Sequence, residues 1–154
     1  MADLHTPWRR RALPALLLLW AGILVGIDFV AVPAQFAAPG VDQPLGVAIT
    51  REVFARFNQV QALLIVASLG LALLARPSRL VWIGLVLVWI IVAVQSFRLF
   101  PLLDARVELL LQGERLPPAP WHYVYASLEL LKLALLLGLA TLVLTRRSSH
   151  HSTR

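Results

Sequence analysis

The sequence predicts an all-α protein, a bundle of four transmembrane helices, on three observations. Hydrophobic residues make up 59% of the 154 and charged residues 14%, against roughly 45–50% and about 25% in a soluble domain. The apolar residues gather into four long runs separated by short charged segments. Each run has roughly 20 to 25 residues, which at about 1.5 Å per residue spans a hydrocarbon core of about 30 Å. Lipid offers the backbone no hydrogen-bond partners, so helices are the expected form, and no strand-like alternation is present. The whole chain reads as a single integral membrane domain.

The first run extends from Leu13 to about Pro33, behind Arg9, Arg10 and Arg11. Triple arginine followed by an apolar stretch matches the first two regions of a signal peptide. The run, however, continues past Gly26, contains Asp28 and is followed by three comparable segments, so a retained helix is expected. Residues 34 to 50 hold Pro39, Gly40, Pro44 and Gly46 and read as an irregular loop. The second helix is expected from about Val53 to Ala75 and the third from Leu80 to about Leu103. The tight turn Arg76-Pro77-Ser78-Arg79 between them implies antiparallel neighbours. Leu102 to Leu111 reads as a short amphipathic continuation of the third helix, before Pro117-Pro118-Ala119-Pro120. The fourth helix is expected from about Trp121 to Thr145, and the polar tail from Ser148 to Arg154 is expected to be disordered.

Arginines orient the bundle. Arg9, Arg10, Arg11, Arg76, Arg79, Arg146, Arg147 and Arg154 fall on one side, and Arg51, Arg106 and Arg115 on the other. The positive-inside rule then puts both termini in the cytoplasm, in an up-down topology. A bacterial inner membrane is the expected location. The net charge of +6 does not point to nucleic acid, because the arginines sit at helix ends and no soluble domain carries a basic face. The lipid bilayer is the expected partner, and the oligomeric state is open.

Charged side chains inside a membrane are costly and mark functional or structural sites. With this orientation Asp28 lies in the outer third of helix one, and Arg56, Asn58, Gln59 and Gln61 lie in the outer half of helix two. Gln95 and Arg98 reach the same level on helix three. His122 lies near the outer surface on helix four, with Glu129 and Lys132 deeper. Asp28, Arg56, Asn58, Gln59, Gln95, Arg98, His122, Glu129 and Lys132 are therefore the candidate ligand-binding network. Glu129 and Lys132, three apart, are expected to pair on one helix face. Asp28 is expected to pair with Arg56 or Arg98 across the bundle. The inner halves are nearly all Leu, Val, Ile, Ala and Gly and should pack dry. Gly22 and Gly26 form a GxxxG pair suited to close helix packing, expected inside the bundle rather than between copies. Trp8 and Trp121 read as interface anchors.

Several chemistries lack their residues. There is no cysteine, so thiolate nucleophiles, iron–sulfur clusters and thiolate metal sites are excluded. His122 is the only histidine in or beside a helix, so a haem held by two axial histidines in the bundle is unavailable. No cofactor and no metal site are expected, and His150-His151 reads as part of a flexible tail. No nucleotide loop, nucleophile elbow or zinc-protease helix is present.

Three stretches carry a family resemblance. The first helix bears Gly22 and Gly26 and ends in Val32-Pro33-Ala34-Gln35-Phe36. The third ends at Phe100-Pro101-Leu102-Leu103-Asp104-Ala105-Arg106, and the fourth opens with Trp121-His122-Tyr123-Val124-Tyr125-Ala126-Ser127-Leu128-Glu129. In these the chain resembles small four-helix bacterial membrane proteins of unknown function, which are similar to eukaryotic transmembrane protein 205. It departs from that pattern in having Tyr125 where a histidine, and Glu129 where an asparagine, would stand. The resemblance implies an architecture and no chemistry. The anthrone-oxygenase-like four-helix proteins are the second resemblance, and they would imply an enzyme.

The expected function is a non-enzymatic one. A polar inter-helix site in the outer half would bind or conduct a small solute, or support a membrane partner. The alternative is a cofactor-independent membrane oxygenase working through His122, Arg98 and Glu129. The two differ in whether those three side chains converge on a cavity.

Overall fold

The computed structural model describes residues 6–114, 116–117 and 120–148, with side chains from 11 to 145. Six α-helices form four spans. The first span is α1 (Thr6–Val25), a π-helical segment (Gly26–Ala31) and α2 (Val32–Ala37). The second is α3 (Gln43–Ala75). The third is α4 (Arg79–Val94), a second π-helical segment (Gln95–Leu99) and α5 (Phe100–Leu111). The fourth is α6 (Pro120–Ser148). No strand occurs among the described residues. All four spans are long and apolar enough to cross a membrane, and the chain is a multi-pass membrane protein.

Large apolar side chains cover the outside. Leu63, Val66, Leu73, Leu19 and Phe97 are all more than half exposed, an arrangement that suits lipid and not water. Each span meets its neighbours in chain order, and the ring closes between α1 and α6. The buried positions recur every three or four residues. They are Leu13, Leu17, Trp20 and Leu24 on α1, and Phe57, Gln61, Leu64, Ser68 and Ala72 on α3. Val81, Leu85, Val88, Val92, Gln95 and Leu99 line the third span, and Tyr125, Glu129, Lys132, Leu136 and Leu139 line α6. That spacing keeps one seam of each helix facing its partners, as in coiled-coil packing.

Two expectations change. The segment from 34 to 50 is mostly helical: α2 ends at Ala37 and α3 starts at Gln43. Asp42 and Pro44 are helix-start chemistry, and Pro39 and Gly40 make the short turn before them. Asp42 accepts from the Leu45 N–H at 2.9 Å, and Pro44 occupies the first turn, where its missing N–H is no loss. Only Gly40, at φ 84°, uses the left-handed region in this connection. The expected continuation of the third span is present, as helix from Phe100 to Leu111. The expected internal role of Gly22 and Gly26 fails, because both are exposed and a Cβ at either would meet nothing within 4 Å. Close approach uses other glycines instead. Gly84 accommodates Leu139 of α6, and Gly46 accommodates Phe36 of α2. The expected disordered tail lies, from residue 149 on, outside the described residues.

The two π-helical segments share one sequence feature. Pro33 follows the first and Pro101 the second. A proline cannot donate to the carbonyl four residues back and its ring crowds that carbonyl. The carbonyls concerned belong to Phe29 and Phe97, inside the two widened segments. Widening to a π turn relieves the crowding. Pro14 is passed without widening, so proline permits the wide turn rather than dictating it.

Candidate functional site

At the level of the π segments the packing seam becomes polar. Lys132 is fully buried and its Nζ donates to Gln61 Oε1 at 2.6 Å, Gln95 Oε1 at 2.9 Å and Glu129 Oε1 at 2.9 Å. An ammonium has three donors, and all three are used. Gln95 Nε2 also donates to Glu129 Oε1 at 3.0 Å and to the Tyr125 carbonyl at 3.4 Å. Gln61 Nε2 donates to Asn58 Oδ1 at 3.4 Å, which also accepts from Ser96 Oγ at 3.3 Å. Three spans are thus tied through one buried lysine, 5.7 Å from the Phe57 ring centroid.

The first span completes the layer differently. Asp28, in its π segment, sits beside Glu129 and Tyr125. Both carboxylate oxygens of Asp28, Glu129 Oε2 and the Tyr125 hydroxyl have no hydrogen-bond partner among the described residues. Buried polar groups are nearly always satisfied, and these oxygens lie close enough together to share a proton, with Asp28 and Tyr125 both beside Glu129, or to receive a bound group.

That place opens on a cavity of about 480 Å³. Asp28, Tyr125 and Glu129 lie on its wall, among apolar side chains such as Phe29, Phe36, Phe54, Phe100 and Leu103. Tyr125 is held edge-on against Phe54, ring centroids 5.5 Å apart. Arg51, Asp104, Arg106 and His122 also line it. Arg51 binds Asp104 through both its Nε and its Nη2, the latter at 3.1 Å, and Glu108 through Nη1 at 3.1 Å. This ion cluster joins the start of α3 to α5. Arg106 donates to the Pro117 carbonyl, holding α5 to the connection before α6. Gln35 donates to the Gly46 carbonyl at 3.1 Å and to Thr50, which fixes α2 against α3 beside the same cavity.

Of the nine residues expected to form the network, Gln95, Glu129 and Lys132 bond directly and Asn58 joins through Gln61. The Glu129–Lys132 pair forms as expected. Asp28 faces Glu129, and no ion pair joins it to Arg56 or Arg98. Arg56, Gln59 and Arg98 are exposed. His122 is exposed at the cavity wall, away from the lysine cluster. Gln61, Tyr125, Arg51 and Asp104 were not in the expected set. Gln61 and Tyr125 had a readable signal. Each lies on its helix's buried seam, four residues after Phe57 and four before Glu129 respectively.

The apolar core continues from this layer towards the other end of the bundle. Trp20, Leu24, Leu64, Val88, Leu136 and Leu139 fill it. The polar exception is Ser68, which accepts from Trp89 Nε1 at 3.1 Å and donates to the Ile65 carbonyl at 2.9 Å. The chain matches no family model, no curated protein and no solved structure.

Proposed function

We propose that this chain is a binding protein of the bacterial inner membrane that takes a small amphiphilic solute into the cavity between its helices. In this reading both termini are cytoplasmic, the helices alternate up and down, and the cavity lies in the outer half. The observation that carries it is the set of unpartnered oxygens of Asp28, Glu129 and Tyr125 on the wall of an otherwise apolar cavity of about 480 Å³. Ligand sites combine apolar walls with a few placed polar groups in this size range. The filled core beyond Lys132 supports binding over conduction.

Native mass spectrometry of the detergent-purified protein tests the reading. Wild type should retain a small molecule that Ala126→Trp, a substitution on the cavity wall, does not retain while still folding. Equal retention by both proteins, or by neither, would count against a site in the cavity. Fusing a fluorescent protein that folds only in the cytoplasm to the carboxyl terminus checks the orientation. Fluorescence is expected, and a dark fusion reverses it.

A cofactor-independent oxygenase is the second reading, favoured by His122 and Glu129 sharing the cavity wall. Arg98 does not line that cavity, so one of its three residues is missing. Oxygen uptake with an anthrone-type substrate, lost in His122→Ala, would promote it over the first.

A further inference from the structure

We propose that the cavity takes a lipophilic monocation, a primary ammonium on an apolar body, with the ammonium held between Asp28 and Glu129. This rests on the binding reading above and names the class of its ligand. Charge counting leads to it. Around the polar layer stand two carboxyl groups, Asp28 and Glu129, and one ammonium, Lys132. Beside the cavity, Arg51 binds both Asp104 and Glu108 and Arg106 donates to the Pro117 carbonyl, so these four groups cancel in formal charge. One carboxyl group is left over in formal charge.

Lys132 has no bond to spare for it. Its three donors go to Gln61, Gln95 and Glu129 Oε1, so Glu129 Oε2 and both Asp28 oxygens are left as acceptors. Glu129 is 4% exposed, and a carboxylate oxygen so enclosed is strongly biased towards a bonded partner. An ammonium brings donors and a positive charge, which suits a cluster of carboxyl oxygens whose nearest unused donor is the single Tyr125 hydroxyl. A carboxylate or phosphate headgroup brings only acceptors and more negative charge. The remaining wall suits the rest of such a molecule. Phe29, Phe36, Phe54, Phe100 and Tyr125 line the cavity, and aromatic faces attract cations as well as apolar bodies.

The test compares three probes of one shape and different heads on the full chain in a nonionic detergent. These are 4-phenylbutylamine, 4-phenylbutanol and 4-phenylbutanoate, with affinity measured by calorimetry. The amine should bind at least about tenfold more tightly than the alcohol, as charge-assisted hydrogen bonds do, and the carboxylate least. Asp28→Asn leaves the three bonds of Lys132 in place and should bring the amine down to the alcohol's affinity. An alcohol or carboxylate as tight as the amine in wild type overturns the proposal without any variant being needed. A preference that survives Asp28→Asn overturns the assigned position. If all heads bind alike and Ala126→Trp abolishes binding, the cavity still binds solutes and only the cation class falls. If none binds, or Ala126→Trp changes nothing, the binding reading falls with it.

Discussion

The two ends of the bundle solve the same packing problem with different materials. From Leu13 to Leu24, and at the facing positions of α4 and α6, the seam is apolar and closed around Trp20, Leu85, Val88 and Leu136. One or two turns further along, the same seam carries Asp28, Gln61, Gln95, Glu129 and Lys132. The apolar end obtains its cohesion from interdigitated side chains and from the close approach that Gly84 allows to Leu139. The polar end relies on one lysine bonded to three partners, and next to it packing is incomplete enough to leave a cavity. Within lipid, apolar contacts between helices gain little over contacts with acyl chains, so shape and polar bonds decide association. A bundle made only to stay together would extend the apolar seam, because a buried ion pair is a weak stabiliser compared with well-packed apolar residues.

The largest effect is expected where the polar end has no redundancy. Lys132→Met strands Glu129, Gln61 and Gln95, and should lower stability in detergent by about 3–5 kcal/mol, read from unfolding curves. Lys132→Met combined with Glu129→Met should recover most of that loss. A single variant as stable as wild type would make the cluster irrelevant to folding. At the apolar end, Gly84→Leu should lose about 1–3 kcal/mol by overpacking against Leu139, with partial rescue by Leu139→Ala. Rescue failing would mean that the helices do not meet there. A smaller loss, about 0.6 and at most about 1.7 kcal/mol, is expected for Trp89→Phe, which removes the bond to Ser68. Asp28→Asn sits at the bottom of the scale. It removes a charge with no partner among the described residues, so the melting temperature should hold or rise. A marked fall would show that Asp28 belongs to the structural cluster and not to a vacant site.

Much of this contrast was legible in the residues. The four apolar runs announced the spans, and the gathering of Asp28, Gln95, Glu129 and Lys132 towards one end announced a polar layer. Glu129 and Lys132 could be paired because they share a helix, where spacing alone fixes geometry. Pairing Asp28 with an arginine was a guess across helices, and Arg56 and Arg98 turned out to face outward. The glycines misled for the same reason. Gly22 and Gly26 have the spacing of a packing motif, but their face of α1 is not the face that meets α3 and α6. Pro44 and Gly46 read as loop because composition cannot distinguish a helix's first turn from an irregular segment, whereas Asp42 capping Leu45 can.

By itself the sequence determined the number of spans, the all-helical form and the depth at which polar residues would lie. Each is a property of one segment read along its length, set by hydropathy and by the backbone's need to satisfy itself in lipid. Only the tertiary structure decided which polar residues meet. Successive residues turn by about 100° around a helix, so facing depends on how each helix is rotated against its neighbours. The π turns before Pro33 and Pro101 alter that rotation at the polar layer itself. That is why Gln61 is bonded, Arg98 is outside, and Asp28 faces a second carboxylate with a cavity beside it.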